Sequence, residues 1–169
     1  IFNDLKEDTP FNLKKRKSRK YFAGPSSISL EMKNIVPLDS VVASMENINN
    51  AYTVTEKADG ERKLLYVADN GKVYLIDINL NVQFTGLICR NEEFFETLVD
   101  GEHVLHDKKD NFINYYLCFD IYYLNGDDYR KYAFYNNGNL NYEEKLSDEK
   151  FRFNELNVLI KNMELNSVS

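Results

Sequence analysis

The chain has 169 residues, 43% hydrophobic and 14% aromatic, enough for one domain with an ordinary core and too apolar for general disorder. Its net charge of −6 excludes a generic nucleic-acid binder whose whole surface is basic. No apolar run approaches the ~20 residues of a membrane helix, so no membrane partner is expected.

The charge is uneven. Lys14, Lys15, Arg16, Lys17, Arg19 and Lys20 form a basic strip, and the rest of the chain is more acidic still. A strip of this kind can grip RNA phosphates, and it reads equally as a solvated linker or a nuclear-import signal. Cys89 and Cys118 have no metal or redox spacing and suit a reducing compartment. Because the first residue is Ile1, the chain is expected to be a piece of a longer polypeptide or a processed product.

Residues 1–27 read as a linker or the edge of a preceding domain, ending in the breaker Ala23-Gly24-Pro25-Ser26-Ser27. Ile28 to Met32 is predicted as a short strand. Val41, Val42 and Met45 suit one face of a short helix begun by Asp39 or Ser40. From Ala51 the pattern turns strand-like: strands are predicted over Ala51–Lys57, Lys63–Ala68, Lys72–Ile78 and Val82–Leu87. Asp69-Asn70-Gly71 and Asn79-Leu80-Asn81 serve as turns. A short helix over Asn91–Leu98 follows, with Phe94 and Phe95 in the core. Next come a strand to Leu105, a polar turn at Asp107–Asn111 and a long strand over Phe112–Leu124. The 136–141 run is a loop, and Tyr142–Met163 holds the clearest helix, with Phe153, Leu156, Leu159 and Ile160 at helical spacing. Consecutive antiparallel strands with a few helices give an α+β arrangement.

Three stretches carry candidate chemistry. In Glu56-Lys57-Ala58-Asp59-Gly60-Glu61-Arg62, a charged turn and a lysine-centred site are both open readings. A lysine amine with the reference pKa of ~10.4 is almost wholly protonated at neutral pH, so a site that uses it as a nucleophile has to favour the neutral form. Gly60 permits a sharp turn, Asp59 can brace it, and Arg62 suits phosphate or ribose. In Leu98-Val99-Asp100-Gly101-Glu102-His103-Val104, strand alternation puts Asp100, Glu102 and Val104 on one face, where buried acids need a cation or a hydroxyl partner. In Tyr116 to Leu124 an apolar strand carries one acid, Asp120, beside Phe119, whose ring can stack on a purine or sit in the core. His103 and His106 fall on opposite faces of a strand and do not make a zinc pair. Among Tyr115, Tyr116, Tyr122 and Tyr123, alternation assigns half to the core and half to the surface.

Together these stretches resemble the covalent nucleotidyltransferases, the mRNA capping guanylyltransferases and ATP-dependent polynucleotide ligases. The resemblance rests on Lys57-Ala58-Asp59-Gly60 with Arg62 soon after, on Asp100-Gly101-Glu102, and on Phe119-Asp120, in the family's order. It covers residues 28 to about 165 and implies the antiparallel, helix-flanked nucleotidyltransferase core, with 28–169 as its N-terminal part. The implied reaction is attack of Lys57 on a nucleoside triphosphate, with Mg2+ or Mn2+ as cofactor. Arg62 would contact ribose or phosphate, Glu102 the ribose, the lysine or the metal, and Phe119 the base, with Asp59, Gly60, Asp100 and Asp120 in support. The run through Val73-Tyr74-Leu75-Ile76-Asp77 and the upstream Ser29-Leu30-Glu31-Met32-Lys33-Asn34 look like large viral capping enzymes. That branch implies GTP and a 5′-diphosphate RNA as substrates, fusion to triphosphatase and methyltransferase domains, and a cytoplasmic site of action in a viral factory or virion, with the nucleus open through the basic strip. The alternatives are a ligase adenylation domain, which the stretch from Phe119 to Asp128 also resembles, and a non-catalytic RNA- or protein-binding module. The sequence departs from the family pattern in three places. Asp77-Ile78-Asn79 stands where an arginine is usual, and neither a Glu-Gly apolar motif nor a Lys-x-Lys motif follows Asp120. The chain alone is therefore expected to be inactive or nearly so.

Overall fold

The computed structural model describes residues 23–25, 29–35, 47–48, 52–135 and 150–167. The basic strip from Lys14 to Lys20, the helix expected around Val41–Met45 and the 136–141 loop lie outside the described residues.

The described strands form one seven-stranded antiparallel sheet. They are β1 (Glu61–Val67), β2 (Lys72–Asp77), β3 (Val82–Cys89), β4 (Thr97–His106), β5 (Phe112–Leu124), β6 (Asp127–Asp128) and β7 (Leu165–Ser167), arranged β6-β5-β4-β1-β2-β3-β7. One α-helix, α1 (Arg152–Asn162), is described. Alternation along β1 and β2 divides the core between the two faces of the sheet. Leu65, Val67, Val73 and Leu75 pack with Val99 and Ile121 under Leu156 and Leu159 of α1. Leu64 and Ile76 pack with Leu98, Tyr122 and Tyr123 on the other face. Burying both faces of β1 and β4 fixes their register, because a one-residue slip would exchange the two clusters.

Turn chemistry sets the hairpins. Gly71 closes the β1–β2 turn at a φ of 77°, and its amide donates to the Ala68 carbonyl at 2.9 Å. The β2–β3 and β4–β5 turns share one device. The Asp77 carboxylate accepts from the amides of Asn79 (2.8 Å) and Asn81 (2.9 Å) and from the Asn81 side chain. Asp107 does the same with Lys109 and Asn111. In both turns the residue before the asparagine, Leu80 or Asp110, takes a φ of 63°.

Several expected elements differ. Ser29 to Met32 is not a strand: Met32–Asn34 is a 3-10 turn, in which Asn34 Oδ1 accepts the Glu31 amide at 2.9 Å and pulls the chain into a cap. Tyr52–Asp59 is in no ladder. Both sides of β1 are already paired, to β2 and β4, so the segment before it runs past the sheet with Val54 almost fully exposed. The helix expected at Asn91–Leu98 shortens to a 3-10 turn at Glu92–Phe94, because the chain turns to φ 49° at Glu96 and enters β4 at Thr97. Phe94 is buried as expected, with Phe95 packed against the core. Within the range Tyr142–Met163, α1 begins at Arg152. Its Leu156 and Leu159 are buried, while Ile160 is exposed.

Candidate nucleotide-binding cavity

The pairing of β4 with β5 contains two irregularities that shape the site. Asp100 pairs with Asp120 and Gly101 with Cys118, so Phe119 is an extra residue on β5. Val99 pairs with Ile121 and Leu98 with Tyr123, so Tyr122 is a second. Bulged residues are turned out of the strand's alternation. Here both Phe119 and Tyr122 line a cavity of about 760 Å³. The bulges also explain why Tyr122 and Tyr123 are both buried, against the expectation of one in and one out.

Asp100 and Asp120 face each other across the ladder, an unfavourable placement for two carboxylates. Each is clamped by its own arginine. Arg62, from the start of β1, donates through Nε to Asp100 Oδ1 at 3.0 Å and through Nη2 to Oδ2 at 2.5 Å, with Nη1 on the Pro25 carbonyl at 2.7 Å. The Tyr122 hydroxyl donates to Asp100 Oδ2 at 2.5 Å. Asp100 is 1% exposed, so this carboxylate is a buried charge fully committed to its partners. Asp120 receives Nε (2.8 Å) and Nη2 (3.0 Å) of Arg152, the first residue of α1, together with the Ile121 amide. Arg152 Nη1 reaches the Tyr132 carbonyl at 2.5 Å, and its guanidinium lies 5.6 Å from the Phe134 ring centre. Phe153 packs against Phe134 and Tyr135 at the same wall.

The electrostatics follow from this burial. Asp100 hydrogen bonding raises the Arg62 pKa and keeps it charged. Burial, and then the Asp100 charge, push the Tyr122 hydroxyl well above its ordinary range. Burial alone raises the Cys118 thiol to about 11, so the cavity thiol is neutral at physiological pH.

The motif glycines have steric reasons. The Gly60 amide donates to Glu102 Oε1 at 3.1 Å, which fastens the turn after Lys57 to β4, and a Cβ at Gly60 would fall 2.5 Å from the His103 carbonyl oxygen. At Gly101 a Cβ would meet the Leu117 carbonyl at 2.5 Å and the Tyr116 ring at 2.6 Å. That ring is locked over β4 by its hydroxyl, which donates to the Lys63 carbonyl at 2.8 Å.

Of the sequence-expected site residues, the cavity thus gathers Arg62, Asp100, Phe119 and Asp120. Lys57 and Glu102 are not part of its lining. The Lys57 side chain is 85% exposed, with Nζ 3.1 Å from the Ala58 carbonyl and 3.5 Å from Asp59. Asp100 and Glu102 are not joined to each other: Asp100 is held by Arg62 of β1 and Glu102 by Gly60 in the turn just before it. His103 is bonded to Lys63 at 3.0 Å and to Asn114 at 2.8 Å, and His106 lies on Phe112, so the two share no ligand position. Sequence reading missed Arg152, Phe134, Tyr135 and Phe153. The one local signal was an arginine opening a helix, and nothing in the sequence pointed from it to Asp120, 32 residues earlier.

Among the described residues no group of three His, Cys, Asp or Glu side chains could hold a divalent ion. Both cavity carboxylates are taken by arginine, and Glu102 spends an oxygen on Gly60. The described residues do not fit a resident Mg2+ or Mn2+.

The family model described as mRNA capping enzyme, catalytic domain, matches residues 5–164. The chain belongs to this family. It is also 33% identical over 102 residues to a protein of Acanthamoeba polyphaga mimivirus named "Probable mRNA-capping enzyme". That match takes in 60% of the chain and only 8% of the viral protein. Among the described residues no helix is long and apolar enough to cross a membrane.

Proposed function

We propose that this chain is part of an mRNA guanylyltransferase with the nucleotidyltransferase core fold, which carries GMP from GTP to a 5′-diphosphate RNA through a bond to Lys57. The observation that supports this reading best is the convergence of Arg62, Asp100 and the Phe119-Asp120 pair, from three separate motifs, on one cavity of nucleotide size. Family membership supports the reaction class.

In this reading the neutral Lys57 amine attacks the α-phosphorus of GTP. An N–P bond forms, the bond to the bridging oxygen breaks, and pyrophosphate leaves while the amine gives up a proton. The terminal oxygen of the RNA diphosphate then attacks the same phosphorus, the N–P bond breaks and the lysine is reprotonated. Phe119 stacks on the base and Arg62 borders the sugar. The Gly60–Glu102 bond ties the lysine turn to β4, while Tyr52–Asp59, held in no ladder, leaves Lys57 able to turn from Ala58 toward the cavity. The basic strip from Lys14 to Lys20 is the proposed RNA contact.

Incubation with α-labelled GTP tests the reading, on this chain and on the full-length gene product. Acid-labile protein label that disappears in Lys57→Ala is the expected result for the gene product. Label from ATP instead would favour the ligase reading, and label that persists without Lys57 would overturn the assignment.

A further inference from the structure

We propose that Arg152 reads the base of the bound nucleotide and selects guanine over adenine. The inference rests on the nucleotide occupying the cavity as proposed above, and it assigns base selection to a residue outside the three motifs. Among the described residues two arginines border the cavity. Arg62 is more fully engaged: Nε and Nη2 are on Asp100, Nη2 also reaches the Tyr122 hydroxyl at 3.5 Å and Nη1 is on the Pro25 carbonyl, so four of its five N–H donors are used. Arg152 uses three of its five N–H donors, two on Asp120 and one on Tyr132, which leaves two for a ligand.

Its plane is also fixed, by the bidentate Asp120 pair at one edge and the Phe134 ring on one face. A guanidinium held in one orientation is suited to bidentate recognition, since little freedom remains to be lost on binding. The neighbouring wall is aromatic, formed by Phe119, Phe134, Tyr135 and Phe153, and it suits a flat heterocycle far better than a phosphate. Asp120 is the poorer reader, because Oδ1 already accepts two hydrogen bonds and Oδ2 one. Guanine offers two adjacent acceptors, O6 and N7, to an arginine fork. Adenine offers N7 beside an N6 amino group, which would set N–H against N–H.

Dissociation constants of the full chain for GTP, ATP, ITP and 7-deaza-GTP test this, measured by calorimetry on wild type and Arg152→Lys. ITP keeps O6 and N7 and should bind like GTP. 7-Deaza-GTP lacks the N7 acceptor and should bind roughly tenfold more weakly, as should ATP. Arg152→Lys should lower GTP affinity by roughly tenfold, leave ATP within about twofold and erase the penalty on 7-deaza-GTP. The analogue series on wild type stands even if the variant folds poorly. Equal binding of GTP and 7-deaza-GTP, or ITP as weak as ATP, overturns the role of Arg152 while leaving the nucleotide site in place. GTP binding with an unchanged GTP-to-ATP ratio in Arg152→Lys does the same. Binding of neither nucleotide overturns both this inference and the guanylyltransferase reading.

Discussion

Replacing Arg62 by methionine should be one of the most damaging single changes in the protein, and a second substitution should partly repair it. Asp100 is 1% exposed, and its charge is balanced by the two hydrogen bonds from Arg62. Removing the guanidinium leaves a buried carboxylate with only the Tyr122 hydroxyl as described partner, a change that costs about 3–5 kcal/mol. Asp100→Asn alone keeps the shape and loses charge-assisted bonds, at about 1–3 kcal/mol. In the double variant Arg62→Met/Asp100→Asn no charge is buried, so it should be more stable than Arg62→Met by about 1–2 kcal/mol. Urea unfolding followed by far-UV circular dichroism suits a chain without tryptophan. At this size each kcal/mol also moves Tm by about 2–4 °C. A double variant less stable than Arg62→Met by the full cost of Asp100→Asn would refute the reasoning. It would mean that the loss in Arg62→Met comes from packing and the Pro25 contact rather than from a stranded charge.

Other consequences follow from single positions. Gly101→Ala presses a methyl group into the Tyr116 ring and the Leu117 carbonyl and should cost about 1–3 kcal/mol, visible as a lowered Tm. Asp110→Gly relieves a left-handed residue in an exposed turn and should raise stability by about 0.5–1 kcal/mol, whereas unchanged or lower stability would mean that the turn carries no strain. At alkaline pH the Cys118 thiol, with its folded pKa raised to about 11 from an ordinary value near 9, favours the folded state below pH 9. That contribution, about 3 kcal/mol, is lost as pH rises from 9 to 11. Cys118→Ser should flatten this part of the pH–stability curve, while the buried Tyr122 hydroxyl continues the loss above pH 10.

The strands were legible where local chemistry decides them. β5 runs from Phe112 to Leu124 as the apolar pattern indicates, and the Asp-Asn-Gly turn sits between β1 and β2. The segment Tyr52–Asp59 has strand-like residues but no vacant sheet edge beside β1, and availability of an edge is a property of the assembled sheet. The residues around Phe119 left its ring open between a stacking face and the core, and its place in the cavity wall follows from a bulge that strict alternation does not show. The clamp on Asp120 was illegible for a different reason: it depends on where α1 docks, and the sequence of Arg152 and its neighbours reads only as a helix start.

The four charged groups that the described residues place around the cavity cancel in pairs, Arg62 with Asp100 and Arg152 with Asp120. Walls of this kind offer little to a polyphosphate tail and much to a nucleoside. Guanosine and GMP should therefore retain a large share of the affinity of GTP for this chain. Added salt, which weakens attraction between separated charges, should scarcely change their binding.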